Sequence, residues 1–225
     1  SFSVGEPIMM TLSLWRSRIK EIPCLDSFWR EKTKERLREQ TRPAGSLGEL
    51  EKFLERVVAI QRKDRPSVAQ KRIYVFAADH GVEREEVSLY PREVTSAMVF
   101  NFLSGGATIN AFARTVGVEI RVVDVGVDYQ FTSHPDLISK KIRGGTSNIK
   151  KGPAMKESEL IQALEVGWEM AALAKKEGTD LLGVGEMGIA NTTAASAVIA
   201  ALTQWDPSLV TGRGTGIDEA VLNHK

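Results

Sequence analysis

An α/β fold built on a parallel sheet is the class this sequence predicts, on three observations. Short, β-rich apolar runs stand at Ile73-Tyr-Val-Phe-Ala-Ala78, at Val118-Glu-Ile-Arg-Val-Val-Asp-Val125 and from Asp180 to Val184. Helical patterns separate them, an alternation that calls for parallel strands joined by right-handed crossovers. Each run leads straight into a candidate ligand loop, beginning at Asp79, Gly126 and Gly183. In open parallel sheets the carboxyl edge is where ligands bind, so loops far apart in sequence are expected to converge on one cleft.

Bulk composition narrows the class. The chain has 225 residues, enough for one sizeable domain with a small appendage. Its net charge of +1, with both signs spread throughout, implies no polyanionic partner. With 42% hydrophobic and 26% charged residues it reads as an ordinary globular protein. The one cysteine, Cys24, excludes an internal disulfide and a cysteine-built zinc site, which fits a reducing cytoplasm. The apolar runs fall far short of a membrane span, and Ser1-Phe2-Ser3 has neither a basic start nor a long apolar stretch, so no signal peptide is expected.

Residues 1–62 read as helical. Ile8 to Ile22 and Ser27 to Arg38 are amphipathic, anchored by Trp15, Ile19, Ile22, Phe28, Trp29 and Leu37. A turn-rich break at Thr41-Arg-Pro-Ala-Gly-Ser-Leu-Gly48 follows, where Ser46 with Glu49 reads as a capping box for a helix from Leu47 to about Ile60. Arg62 to Gln70 is a polar linker. The strand at Ile73 is a continuous apolar run, as a strand buried on both faces should be. Beyond Asp79-His-Gly-Val82, helices are expected over Glu93–Phe102 and Ala107–Val116, separated by Gly105-Gly106. After the second strand come the polar stretch Arg143-Gly-Gly-Thr-Ser-Asn148 and Gly152-Pro-Ala-Met155. The helix Lys156–Glu177 carries Leu160, Leu164, Trp168, Ala171 and Ala174 on one side, and Gly178 stops it. The third strand enters Gly183-Val-Gly-Glu-Met-Gly-Ile-Ala-Asn-Thr-Thr193, which reads as a glycine-rich turn before a helix, with Asn191, Thr192 or Thr193 as cap.

That last stretch is the strongest chemical signal. A helix start offers free N–H groups and a positive dipole end, which suits a phosphate. Glu186 lies inside it, and a carboxylate beside an anion site is unfavourable unless it binds or deprotonates something else. Two readings stand at this point: an anion site with a working carboxylate, or a βα-turn with a surface glutamate. Asp79-His80 is read as a hydrogen-bonded pair fixing its loop, because neither of the other two histidines, His134 and His224, stands in metal-ligand spacing to His80. No G-x-S-x-G elbow is present. The glycines from 183 to 188 fit a dinucleotide fingerprint in letters, but no acidic strand end follows at the required distance. The loop Thr211-Gly-Arg-Gly-Thr-Gly216, taken with 143–148, adds to the case for a phosphate ligand.

Several motifs occur together and in order: Pro43-Ala-Gly-Ser-Leu-Gly48, Ala78-Asp-His-Gly-Val82, Tyr90-Pro-Arg-Glu-Val-Thr95, Asn101-Phe-Leu-Ser-Gly-Gly106, Val123-Asp-Val-Gly-Val127, Gly152-Pro-Ala-Met155 and Gly185-Glu-Met-Gly-Ile-Ala-Asn-Thr-Thr193. In these the chain, from about Thr41 to Lys225, resembles the nicotinate-nucleotide–dimethylbenzimidazole phosphoribosyltransferases of cobalamin lower-ligand synthesis. The resemblance implies a Rossmann-like parallel sheet with helices on both faces, over residues 67–225, and a small helical region over residues 1–66. It implies a homodimer in the cytoplasm, small-molecule substrates, no nucleic-acid or membrane partner, no cofactor and no metal. Phosphoribose would pass from nicotinate mononucleotide to a benzimidazole, giving α-ribazole phosphate and nicotinate.

By the same resemblance Glu186 takes the place of an active-site carboxylate, and Tyr90, Met98 and Met187 line the base pocket. Lys225 lies near the phosphoribosyl group, and Gly144, Gly145, Gly188, Asn191, Thr192 and Gly214 supply donors to phosphate and ribose. The family's principal catalytic glutamate falls in a glycine-rich motif beyond the position of Lys225. A chain truncated relative to the family, with an incomplete sheet and no activity alone, is therefore expected. A non-catalytic nucleotide-binding or interaction protein of the same descent is the rival reading.

Overall fold

The structure, a computed structural model, describes residues 11–225, so the expected helical residues Ile8 to Met10 lie outside it. The chain divides between Val68 and Ala69 into two compact units.

The first unit holds α1 (Leu12–Lys20), α2 (Ser27–Arg38) and α3 (Glu49–Gln61). Two of the three starts are capped by side chains: Thr11 Oγ1 accepts the N–H of Leu14 at 3.3 Å and Asp26 Oδ1 that of Phe28 at 3.0 Å. Ser46 does not cap α3. Gly48, at φ 54°, precedes the helix directly, and Ser46 Oγ instead accepts from Arg42 at 3.0 Å. Successive tight turns through 45–48 delay the helix by two residues. Trp15, Thr33, Val58 and Ala59 are buried, whereas the expected anchors Ile19, Ile22 and Phe28 are exposed. Helical spacing found the helices but not which apolar residues each one covers.

The second unit is a four-stranded, wholly parallel sheet in the order β3-β2-β1-β4. Its strands are β1 (Lys71–Ala78), β2 (Val118–Gly126), β3 (Leu137–Ser139) and β4 (Leu181–Met187). The three-residue β3, just after Pro135, was too short to carry a strand pattern. Helices cover both faces. On one, α6 (Glu157–Lys176) buries Val166, Met170 and Ala174 against Tyr74 and Val123. On the other, Val99 of α4 (Glu93–Leu103) meets Ala77 and Val122, and α5 (Thr108–Val116) leads back into β2. Of the residues expected together on one side of α6, Leu160, Leu164 and Trp168 lie on its more exposed side, whereas Ala174 is buried in the core. Two stripes of apolar residues run along this helix at helical spacing, and the sheet takes the other one.

Arg72 anchors the amino edge of the sheet. It is 7% exposed and is held by Glu119 at 2.6 Å, by Glu177 and by the Tyr74 hydroxyl at 3.2 Å. The starts of β1 and β2 are thereby tied to the end of α6, leaving the carboxyl edge to be built by loops. Beyond β4 come α7 (Asn191–Thr203), α8 (Pro207–Val210) and α9 (Glu219–His224), the last two not foreseen in the sequence. Among the described residues no helix is long and apolar enough to cross a membrane.

One correction bears directly on the site. The stretch from Gly183 is not a loop: β4 runs through Gly185, Glu186 and Met187 and pairs with β1 up to Ala77. The turn is only Gly188-Ile189-Ala190. Strand alternation sends Glu186 to the face of Phe76 and Met187 to the face of Ala77.

Candidate active site

The ends of β1, β2 and β4 are neighbours because their strands are, and one buried carboxylate knits the first two together. Asp79 follows β1 and is 3% exposed. Its N–H donates to the carbonyl of Gly126 at 3.0 Å, its carbonyl accepts from Thr146 N–H at 3.0 Å, and its Oδ2 accepts from Asp128 N–H at 2.7 Å. A buried carboxylate needs compensation, and Arg92 supplies it. Arg92 Nε lies 3.5 Å from Asp79 Oδ2, while Nη2 lies 3.1 Å from Asp128 Oδ2 and 3.4 Å from the Gly144 carbonyl.

The glycine turn 144–145 fits against this ion cluster. Gly145 has φ 76°, and a Cβ there would stand 2.7 Å from Arg92 Nη2. Its N–H is already engaged by the Gly126 carbonyl at 2.8 Å. The glycine pair thus closes over the ends of β1 and β2.

The β4–α7 turn lies over the end of β1. A Cβ on Gly188 would come within 2.1 Å of the Ala78 carbonyl and 3.0 Å of the His80 ring, so only glycine fits. Burial pushes the His80 imidazole below its ordinary value, against the opposing pull of the Asp79 charge, and favours the neutral ring. Ile189 N–H donates to the fully buried Thr95 Oγ1 on α4 at 3.1 Å. The residue before α7 is Ala190 at φ 69°, with no side-chain cap; Asn191, Thr192 and Thr193 all lie inside the helix. Asn191 N–H turns back to the Gly188 carbonyl at 3.0 Å.

The first turn of α7 gathers a second cluster. Lys225 Nζ donates to Thr192 Oγ1 at 2.8 Å and to the Gly212 carbonyl at 3.0 Å. A Cβ on Gly214 would stand 2.7 Å from the same Thr192 oxygen. Thr192, Gly214 and Lys225, distant in sequence, are therefore brought together at a helix N-terminus, the setting for an anion. Burial holds the Lys225 ammonium below the usual lysine range. Lys225 also lines a cavity of about 470 Å³, whose wall includes Val82, Val87, Ile149 and Thr193.

The remaining expected residues lie around these clusters. Leu89 N–H donates to Thr215 Oγ1 at 3.1 Å, which ties the segment before the exposed Tyr90 to the 211–216 loop. Met98 is half-buried on α4, and Met187 ends β4 on the α4-covered face of the sheet. Glu186, one residue earlier, is exposed on the opposite face. Gly144 and Gly145 belong with Arg92 and Asp79 rather than with Lys225. Four residues given no role from sequence prove structural here: Arg92, Thr95, Asp128 and Thr215. Their signal was faint. Arg92 and Thr95 sat inside a quoted motif, and Asp128 follows a strand end as Asp79 does.

Chemically, the start of α7 brings a partly buried ammonium and a threonine hydroxyl together at a helix N-terminus, a setting for an anion.

Comparison with known proteins fits this geometry. A family model described as "Phosphoribosyltransferase" matches residues 22–225. The nicotinate-nucleotide–dimethylbenzimidazole phosphoribosyltransferase of Geotalea uraniireducens is 50% identical over 214 residues, 95% of this chain and 61% of that protein. The protein of the same name from Geobacter sulfurreducens is 48% identical over 213 residues, 94% of this chain and 60% of that protein. The crystal structure of CobT from Thermus thermophilus superposes with a TM-score of 0.84 at 45% identity, covering 88% of this chain and 59% of that one. The chain thus spans about three fifths of the length of these relatives.

Proposed function

The chain belongs to the nicotinate-nucleotide–dimethylbenzimidazole phosphoribosyltransferase family, and on that premise we propose that it moves phosphoribose from nicotinate mononucleotide to 5,6-dimethylbenzimidazole or a related base. The observation that carries the reading furthest is the meeting of Thr192, Gly214 and Lys225 at the start of α7. A 5′-phosphate seated there would accept from the Thr192 hydroxyl and the Lys225 ammonium and would meet the positive end of the helix dipole. Gly188 and Asn191, beside it, place the ribose against the end of β1. Gly144 and Gly145 close the far side of the same edge.

The reaction asks little proton chemistry of the protein. The bond from C1′ to the nicotinate nitrogen breaks, and its electron pair leaves with a ring that was already a pyridinium, so no general acid is needed. The benzimidazole nitrogen supplies the pair for the new bond to C1′, and the base then loses one proton. Holding the two rings in line with C1′ is the larger part of the work, and a carboxylate takes the proton. Tyr90, Met98 and Met187 flank the incoming base, and Glu186 is the carboxylate this chain offers at the strand end. No cofactor or metal enters the scheme. Small molecules are the substrates, with neither nucleic acid nor membrane as partner, and the working form is a cytoplasmic homodimer.

The test is direct. The complete protein is incubated with nicotinate mononucleotide and 5,6-dimethylbenzimidazole, and products are followed by liquid chromatography with mass detection. Equal release of nicotinate and α-ribazole phosphate is expected. Tight binding of both ligands without product would establish instead a non-catalytic binding protein of the same descent.

A further inference from the structure

We propose that Arg92 is a positioning residue for the transfer reaction, holding the loops after β1 and β2 and the Gly144–Gly145 turn in a single arrangement. This rests on the proposed activity for its kinetic arm only.

The first turn of α4 reaches all three strand ends. Arg92, at its start, contacts the carboxylate after β1, the carboxylate after β2 and the carbonyl of Gly144 through one planar guanidinium. Thr95, one turn on, accepts the N–H of Ile189 in the turn after β4. The helix thus brackets the carboxyl edge, with Arg92 serving two loops and Thr95 the third.

Arg92 acts through Asp79. Asp79 is almost wholly buried, and its Oδ1 has no hydrogen-bond partner among the described residues. Its charge is therefore held by the N–H of Asp128 at 2.7 Å and by the ion pair with Arg92, whose Nε at 3.5 Å makes no hydrogen bond among the described residues. Release of Arg92 leaves that carboxylate without its cation, and it must move toward water. That movement shifts the segment Asp79-His80, and the His80 ring is packed against Gly188, the pivot from β4 into α7. The path from Arg92 to the turn after β4 thus has two contacts joined by a peptide link, each given by geometry. None of them needs Arg92 to touch a ligand.

Lysine cannot replace it. A guanidinium is a rigid fork that engages two carboxylates and a carbonyl at once, whereas an ammonium is a single point charge.

The experiment compares Arg92→Met and Arg92→Lys with wild type in the complete protein. Steady-state kinetics, thermal unfolding and amide hydrogen exchange are measured on each. A misplaced edge should lower kcat about 100-fold, with KM for nicotinate mononucleotide changed by no more than about threefold. Lysine should rescue little of that loss. Three amides should exchange faster: Gly145, Thr146 and Asp128, which bond to Gly126, Asp79 and Asp79 respectively. A kcat within about twofold of wild type, or rescue by lysine, would overturn the proposal. So would a loss confined to KM, which would make Arg92 a ligand contact. Where Arg92→Met does not fold, Asp128→Asn removes only one arm of the clamp. It should lower kcat and speed exchange at Gly145, and a wild-type result there also overturns the clamp. If the wild-type protein makes no α-ribazole phosphate, the proposed activity fails and the exchange of these three amides alone decides the clamp.

Discussion

The hydroxyl of Thr95, fully buried on α4, accepts the backbone N–H of Ile189 at 3.1 Å and so fastens the turn between β4 and α7 to the helix that covers this face of the sheet. Valine has the same shape without the acceptor. Thr95→Val therefore leaves the Ile189 N–H buried and unpaired, which costs about 1–3 kcal/mol. Serine keeps the acceptor and should recover most of it. Chemical denaturation of the two variants measures this, and equal stability of both would mean that the methyl packing, not the hydrogen bond, holds the turn.

The two apolar stripes of α6 give a second test. Met170 lies in the core with Tyr74 and Val123, whereas Leu164 is 39% exposed. Met170→Ala should cost about 2–5 kcal/mol. Leu164→Ala should cost within about 0.5 kcal/mol, as ordinary surface changes do. Urea melts of both decide it, and the reverse order would put the wrong face of α6 against the sheet.

These pairs show where the sequence was and was not readable. The strand expected at 73–78, observed at 71–78, and the helix α2 were legible because their patterns have one solution: a continuous apolar run in the first case, an amphipathic period in the second. The face of α6 was not, since Leu160-Leu164-Trp168 and Val166-Met170-Ala174 both recur every four residues and only the sheet chooses between them. The end of β4 lies further along than the glycines suggest, because a glycine in sequence signals a turn and a strand residue alike. Gly183 is in fact a strand residue whose Cβ would stand 2.9 Å from Ile73 Cγ1 on β1, so close packing and not chain reversal explains it. The resemblance set Thr192 and Lys225 each beside the phosphoribosyl group, but the hydrogen bond between them is seen only in the structure. The role of Arg92 was invisible, because a cation in an exposed motif declares its partners only when Asp79 and Asp128 are brought to it by β1 and β2.

Acid should weaken the fold through His80. Burial lowers its pKa in the folded protein, so the unfolded chain binds the proton more readily. Stability is then complete above the unfolded value of about 6.5 and falls as pH drops through it, levelling only below the folded value. His80→Asn, which does not titrate, should lose this component. Denaturant midpoints between neutral and mildly acidic pH compare the two, and parallel curves would assign the acid sensitivity to carboxylates instead.

Thr192→Val should weaken phosphate-bearing ligands more than free benzimidazole. The hydroxyl stands at the start of α7 and is bonded to Lys225. Its loss removes a charge-assisted hydrogen bond, about 1.5–3 kcal/mol, or roughly 10- to 100-fold in affinity for nicotinate mononucleotide. Phosphate binding should also decline with rising pH as Lys225 loses its proton, and burial places that limb below the usual lysine range. Calorimetric titration of both ligands across alkaline pH tests each point. Equal losses for the two ligands, or a limb unchanged by Lys225→Met, would remove the phosphate from this cluster.

Glu186→Gln should lower turnover while leaving the fold intact. Glu186 is the last residue but one of β4 and is exposed, so the neutral isostere opens no cavity and disturbs no buried ion pair. Stability should stay within about 0.5 kcal/mol of wild type. The kinetic effect turns on where the base sits. Met187 faces the α4 side of the sheet, as Ala77 does, whereas Glu186 faces the side of Phe76. A carboxylate there reaches a ring held beside Met98 and Met187 only around the open end of the strand, where Gly188 turns the chain away. Because β4 ends one residue later, that route is short. General-base contributions run about 10²–10⁴-fold, and kcat should fall by that order with KM for both substrates little changed. Turnover within about twofold of wild type would leave Glu186 as an exposed strand-end residue and assign the benzimidazole proton to another acceptor. A rise in KM at constant kcat would show that Glu186 binds substrate without taking its proton.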